Sequence, residues 1–194
     1  MLEHNGKLYA RVSNVIQPFT NFGHIDPKVL ANKAKIGTSV HEAIKDDLDG
    51  CFPIPCTTGL GYFQSYCKWK EHLNPKVIQS EIRYYCDSRM ITGQIDCLIE
   101  IPNSMELPVL VDFKTSHSES REVWKMQAHL YHYLLIENGI DICPRFIFIK
   151  LDKHGKMPDV FQYAYDNEIH KKCMKAVEEF WKKTPKDNFL SITS

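Results

Sequence analysis

The sequence carries no surplus of charge: 24 Lys and Arg balance 24 Asp and Glu over 194 residues. Overall electrostatics therefore offers no attraction to nucleic acid or to an anionic membrane, and any such attraction has to be local. No apolar run approaches the ~18 residues that span a bilayer, and the opening MLEHNGKLYARV lacks the basic-then-apolar pattern of a signal peptide. No CxxC occurs among the seven cysteines, which are odd in number and scattered, so neither a disulfide framework nor a zinc ribbon is implied. No stretch rich in Pro, Gly or Ser divides the chain, and no internal repeat is visible. From these absences we expect one soluble, cytoplasmic domain with reduced thiols (in the host-cell cytoplasm if the source is viral) and no membrane partner.

What is present is an ordinary globular composition, 43% hydrophobic and 25% charged, enough to bury a sizeable core. Residues 34 to 49 predict a helix beyond Gly37, with Val40, Ile44 and Leu48 on one face and Gly50 as a stop. Residues 60 to 73 predict a second, ended by Asn74-Pro75. The middle changes character. VIQSEIRYY and MITGQIDCLIEI, rich in β-branched and aromatic residues, predict a hairpin around Asp87-Ser88-Arg89, and PVLVDFKTS a buried strand. Residues 122 to 138 predict a helix stopped by Gly139, RFIFIK a fourth strand, and residues 167 to 183 a closing helix. The predicted class is α/β, with α+β as the alternative: a central mixed sheet flanked by helices, with a helical part at about 14–75 and the sheet and its helices at about 78–183.

One strand pattern asks for an explanation. Asp112 and Lys114 are separated by a single residue, so both side chains leave the same face of the sheet while Phe113 points to the other. The apolar Val109, Leu110 and Val111 precede them, and burying a charged pair without a partner or a purpose is unfavourable. Asp96 stands sixteen residues earlier, again inside an apolar run. Two carboxylates on neighbouring strands repel each other unless a divalent cation lies between them, and hard oxygen donors suit Mg2+ or Mn2+. A lysine beside such an ion can position a water or stabilise a phosphorane. A lone Asp-x-Lys is also a common exposed ion pair, so the motif is weak by itself.

It does not stand by itself. GTSVHEAI at 37 to 44, GQIDCL at 93 to 98, VDFKTS at 111 to 116 and QAHLY at 127 to 131 follow one another in order. Together they resemble the RecB-type branch of the PD-(D/E)xK nucleases, the branch of phage recombination exonucleases and of the mitochondrial genome-maintenance exonuclease, over roughly residues 8 to 135. The resemblance implies a restriction-endonuclease-like core and a Mg2+- or Mn2+-dependent exonuclease acting on single- or double-stranded DNA ends in recombination, repair or phage DNA processing. A single-strand-binding or recombination protein is the partner it suggests. It casts His41, Asp96, Asp112 and the Phe113 carbonyl as metal ligands, Lys114 as the catalytic lysine, and Gln127 and Tyr131 as the QxxxY pair lining the site. Glu81 matches an acidic position often found near such sites, although a solvent-facing acid fits it as well. An endonuclease would use the same residues; an inactive DNA-binding module would lack one of them.

Positive charge near the first of these motifs comes from Lys28, Lys33 and Lys35, expected with Thr115 and Ser116 to contact DNA. Rival signals are weaker. His41-Glu42 opens like a zinc-protease motif but has Lys45 where the second histidine belongs. His129 and His132, three apart on a helix, have no acid or cysteine partner nearby, so a surface or packing role is the better reading. One subgroup of the resembled family holds an iron-sulfur cluster on one early and three closely spaced late cysteines; only Cys143 and Cys173 follow Cys97 here, so no cluster is expected.

Overall fold

The computed structural model describes residues 1–20, 25–116 and 119–184. The chain opens on a hairpin of β1 (Leu2–His4) and β2 (Lys7–Arg11), followed by α1 (Val12–Ile16), α2 (Pro27–Leu48) and α3 (Leu60–Leu73). Next come β3 (Lys76–Cys86), β4 (Ile91–Glu100) and β5 (Val109–Lys114). Helix α4 (Arg121–Glu137) crosses over to β6 (Arg145–Lys150), which is followed by β7 (Asp159–Ala164) and α5 (Asn167–Lys183). The strands form one mixed sheet: β4 pairs antiparallel with β3 and β5, β5 parallel with β6, and β6 antiparallel with β7.

Strand alternation explains the layers. Along β5 and β6, Leu110, Phe146 and Phe148 pack with Trp124, Leu130 and Leu134 of α4 and Val177 of α5. Val111, Phe113, Ile147 and Ile149 point the other way, toward Val40 and Ile44 of α2 and Tyr66 and Trp69 of α3. With both faces covered, these strands read as nearly continuous apolar runs. Among the described residues, no helix is long and apolar enough to cross a membrane, and the seven cysteines are free thiols.

The expected helices and the four expected strands are present, with three differences. The first third also holds a hairpin, turned by Asn5 and Gly6 with φ of 51° and 70°, the positive pair that an Asn-Gly two-residue turn requires. Strand β7 reads weakly because it is an edge strand whose alternate residues face solvent. Helix α2 begins at Pro27, capped by the Asp26 side chain accepting the Lys28 N–H at 2.7 Å, so it starts seven residues before the expected 34.

His129 packs at the junction of α4 and α5. Its Nδ1 lies 2.6 Å from the Lys125 carbonyl and its Nε2 accepts the Asp166 N–H at 2.8 Å, so the ring is neutral with the proton on Nδ1 and no lone pair is left for a metal. Burial lowers the pKa of His129, His132 and His170 alike, that of His132 to about 4 from an ordinary 6.5. The unfolded chain therefore takes up protons that the folded chain refuses. The contribution of the neutral rings to stability is complete above pH 6.5 and is lost as pH falls toward 4. Denaturant midpoints should drop across this window by the equivalent of about 1–3 kcal/mol. A His132→Gln variant should flatten the fall; an equally steep profile in that variant would remove His132 as a cause.

Candidate active site

The site begins as a gap in the sheet. Strand β3 occupies one edge of β4 along its length, so β2 and β5 share the other. Strand β2 reaches Thr92 and β5 reaches Cys97, which leaves residues 93 to 96 without a strand partner on that edge among the described residues. At the point where β4 and β5 part, the Phe113 N–H donates to Asp96 Oδ2 at 2.8 Å. A side-chain carboxylate thus replaces the missing ladder bond and is held inside the notch.

Opposite Asp96, Glu81 has a φ of 51° in the middle of β3. A left-handed non-glycine residue inside a strand is strained, and such strain gathers at functional sites. Side-chain alternation slips at the same place. Ile91, Ile95 and Leu98 join the α4 layer, whereas Cys97 and Ile99 join the α2 layer. The kink leaves the Glu81 carboxylate 3.4 Å from His41 Nδ1, and Asp96 Oδ2 lies at the same distance from that nitrogen. Ligand atoms of His41, Glu81 and Asp96 all fall within 4.8 Å of one another. Gln94 Nε2 donates to the second Glu81 oxygen at 2.6 Å, and Arg83 donates to the Gln94 carbonyl at 2.5 Å, which fixes the amide's orientation.

On the α4 side of the notch, Asp112 is 2% exposed. Its Oδ2 lies 2.5 Å from Lys114 Nζ in an ion pair yet accepts no well-directed hydrogen bond. Gln127 links the group: Nε2 donates to Asp112 Oδ1 at 2.8 Å and contacts the Tyr131 hydroxyl at 3.0 Å, while Oε1 accepts from Lys114 at 2.8 Å. Gln127 and Tyr131 meet because residues four apart share a helix face. The helix comes this close because residue 93 is glycine; a Cβ there would sit 2.6 Å from the Tyr131 ring.

The electrostatics identify what the notch accommodates. Burial, then the charge of Asp112, with Glu81 adding, pushes the Asp96 carboxyl up to about 7, against the pull of His41 and Lys114. Burial disfavours a charged His41, yet Asp96, the Glu81 hydrogen bond and Asp112 outweigh it and raise the imidazole to about 9. Burial also lifts the Tyr131 hydroxyl well above its usual range, so it stays protonated. Three carboxylates thus draw positive charge toward one point, and the proton they hold on the imidazole is one sign of it. An imidazole with hard oxygen donors and a carboxylate oxygen lacking a good donor make a set that fits a small divalent cation.

The sequence candidates divide into groups. His41, Glu81 and Asp96 form one cluster; Asp112, Lys114, Gln127 and Tyr131 form the adjoining one. Phe113 contributes its N–H to Asp96, and its ring packs edge-on to Tyr66 and Trp69. Thr115 and Ser116 follow directly at the end of β5, and a Cβ on Gly37 of α2 would lie 3.2 Å from Thr115 Oγ1. Lys28, Lys33 and Lys35 are exposed. At 100° per residue Lys28 and Lys35 lie within about 20° of each other, whereas Lys33 is about 140° further round, so the three do not form one face. Sequence reasoning assigned no role to Gln94 or Arg83. Gln94 stood in the GQIDCL motif, but its hydrogen bond depends on the left-handed turn at Glu81, which no pattern signals.

No family model matches the chain, and no curated protein matches it. Solved structures do. A protein of Eubacterium rectale assigned as an exonuclease superposes with a TM-score of 0.56 at 12% identity, covering 94% of this chain and 85% of that one. An alkaline exonuclease of Laribacter hongkongensis gives 0.51 at 12% identity, covering 92% of this chain and 87% of its own. The mixed sheet flanked by helices is therefore the fold of these exonucleases, the fold to which the four sequence motifs pointed.

Proposed function

We propose that this protein is a divalent-metal-dependent nuclease that hydrolyses phosphodiester bonds at DNA ends. The observation that carries the proposal is the convergence of the buried Asp112 and the partly buried Asp96 with His41, Glu81 and Lys114 in one notch. The fold shared with exonucleases supports it.

On this reading His41, Glu81, Asp96 and Asp112, with the Phe113 carbonyl, hold the ion, Mg2+ or Mn2+. The bound ion would supply charge neutralisation at the phosphate and a water of lowered pKa. The chain does the rest. Lys114, oriented by Asp112 and by Gln127 Oε1, places its ammonium beside the attacking water and the phosphate oxygens, where negative charge develops. Gln127 restrains Asp112 and Lys114 together, and Tyr131 restrains Gln127. A bond forms from the water oxygen to phosphorus, the water giving up a proton to solvent, as the bond to the leaving nucleotide oxygen breaks and that oxygen takes up a proton.

The test is hydrolysis of labelled linear DNA with Mg2+, with Mn2+ and with EDTA, alongside a covalently closed circle. We expect cleavage of linear DNA with either ion, Mn2+ at least matching Mg2+ because an imidazole is a softer ligand, and an intact circle. Full activity in EDTA would sink the proposal.

For the grip on DNA, we propose that Lys28, Lys33 and Lys35 bring positive field to the His41 end of the notch, with Thr115 and Ser116 at the other. Lys33, about 80° from His41 around α2, is nearest to it. Two of the nearby acids are occupied, Asp47 by Tyr66 and Lys70 and Asp49 by Lys45 and Ser80, while Glu42 and Asp46 on the Lys35 face oppose part of the field. Replacing all three lysines by alanine should flatten the slope of log affinity against log salt by about 0.7–0.9 for each phosphate no longer neutralised, read in Ca2+. An unchanged slope would move the grip elsewhere.

A further inference from the structure

A second cleft, of about 420 Å3, opens between the β6–β7 loop and the start of α3. It is continuous with the catalytic strand. Lys114 and Lys150 are paired in register, and the Leu151 N–H donates to the Lys114 carbonyl at 2.8 Å. The loop thus departs one strand spacing, about 4.8 Å, from the reacting end of β5. The walls include Ser116, two residues beyond Lys114, together with Tyr62, Lys153, His154 and Lys156.

The cleft's lining carries more positive than negative side chains, Lys150, Lys153 and Lys156 against Asp152 and Asp159. Asp152 turns inward, its Oδ1 accepting the Lys156 N–H at 3.2 Å and the His154 N–H at 2.8 Å. Lys150 is occupied by Glu119 and Asp159. Lys153 and Lys156 are exposed, and among the described residues they enter no ion pair. Their backbone is held firmly in place. The Asp152 N–H donates to Ser65 Oγ at 3.0 Å, and a Cβ on Gly61 of α3 would lie 1.9 Å from the Lys153 carbonyl, so only glycine lets the loop seat there. Gly155 turns the loop with a φ of 71°. Positions fixed this way lose little freedom on binding an anion.

We propose that this cleft holds one nucleotide of single-stranded DNA beside the scissile bond, with Lys153 and Lys156 on its flanking phosphates and the Tyr62 ring under its base. The volume is at the small-ligand end of the range for binding pockets, which suits a nucleotide unit and excludes a duplex. Lysine ammoniums serve as point-charge phosphate ligands, and an aromatic face stacks any base, the combination that binds single strands without sequence preference. The proposal rests on the nuclease reading above and adds the path of the strand.

The experiment is fluorescence anisotropy of a labelled single-stranded oligonucleotide in Ca2+, titrated with salt. Lys153→Ala/Lys156→Ala should lower the salt slope by about 1.4, from two phosphates at about 0.7 each, and weaken binding about tenfold. Lys171→Ala/Lys175→Ala removes the same charge from α5, on the opposite face of the sheet, and should change the slope little. Tyr62→Ala should cost roughly 5- to 150-fold in affinity, with Tyr62→Phe close to wild type, since the ring and not its hydroxyl stacks. An unchanged slope in the loop variant, or an equal loss in the α5 control, would overturn the assignment while leaving metal-dependent cleavage by wild type intact. A wild-type protein that neither binds the oligonucleotide nor cleaves DNA would overturn the nuclease reading as well.

Discussion

Asp112→Asn should reduce DNA hydrolysis by at least ~10³-fold while leaving the protein folded. The replacement is isosteric in a 2% exposed position, and the side-chain oxygen still accepts from Gln127. What disappears is the charge. The wild-type carboxylate raises the Asp96 pKa and helps to raise that of His41, so its loss removes a large part of the field that draws a cation into the notch. Stability should fall only modestly, because relief from repulsion between Asp96 and Asp112 offsets part of the cost of the lost ion pair and of the new contact between the amide NH2 and the Lys114 ammonium. Three measurements decide the matter: turnover in Mn2+, calorimetric affinity for Mn2+, and the thermal midpoint. A variant with more than a tenth of wild-type turnover at saturating metal would rule out Asp112 as a ligand.

Lys114→Ala should lower turnover by roughly 10²- to 10⁴-fold, the range for a group that stabilises developing charge or transfers a proton. Its ammonium sits between Asp112 Oδ2 at 2.5 Å and Gln127 Oε1 at 2.8 Å, so it is aimed before substrate arrives. The two variants should separate by metal affinity. Asp112→Asn weakens it, whereas Lys114→Ala removes a competing cation from the acids and should keep or tighten it. Turnover unchanged in Lys114→Ala would reduce this residue to a structural ion pair, and lost metal affinity would show that its main effect is on the architecture of the notch.

Much of the architecture was legible without coordinates. Apolar runs with period-two and period-3.6 patterning place α3, β3, β4, β5, α4, β6 and α5 within a residue or two, because buried elements must show their packing face in their composition. Strand β7 escaped for the converse reason, since it lies at an edge with its alternate residues facing solvent, whereas the β1–β2 hairpin, whose Tyr9 and Ala10 are buried, is too short for a periodic pattern and signals itself only through Asn5-Gly6. The one-residue spacing of Asp112 and Lys114 likewise had a single outcome on a strand, a shared face with Phe113 turned away.

Other features belong to the tertiary structure alone. That Asp96 fills a gap between β2 and β5, taking a backbone N–H in place of a ladder bond, depends on where two strands stop pairing. That Glu81 joins His41 depends on a positive φ in the middle of a strand, a conformation its own sequence disfavours and the surrounding packing enforces. Local sequence determined which residues are acidic, which are buried and which face they take, because propensity and alternation act over a few residues. Which acids meet was decided by strand register and by the splaying of β4 from β5, which arise from contacts between segments far apart in the chain.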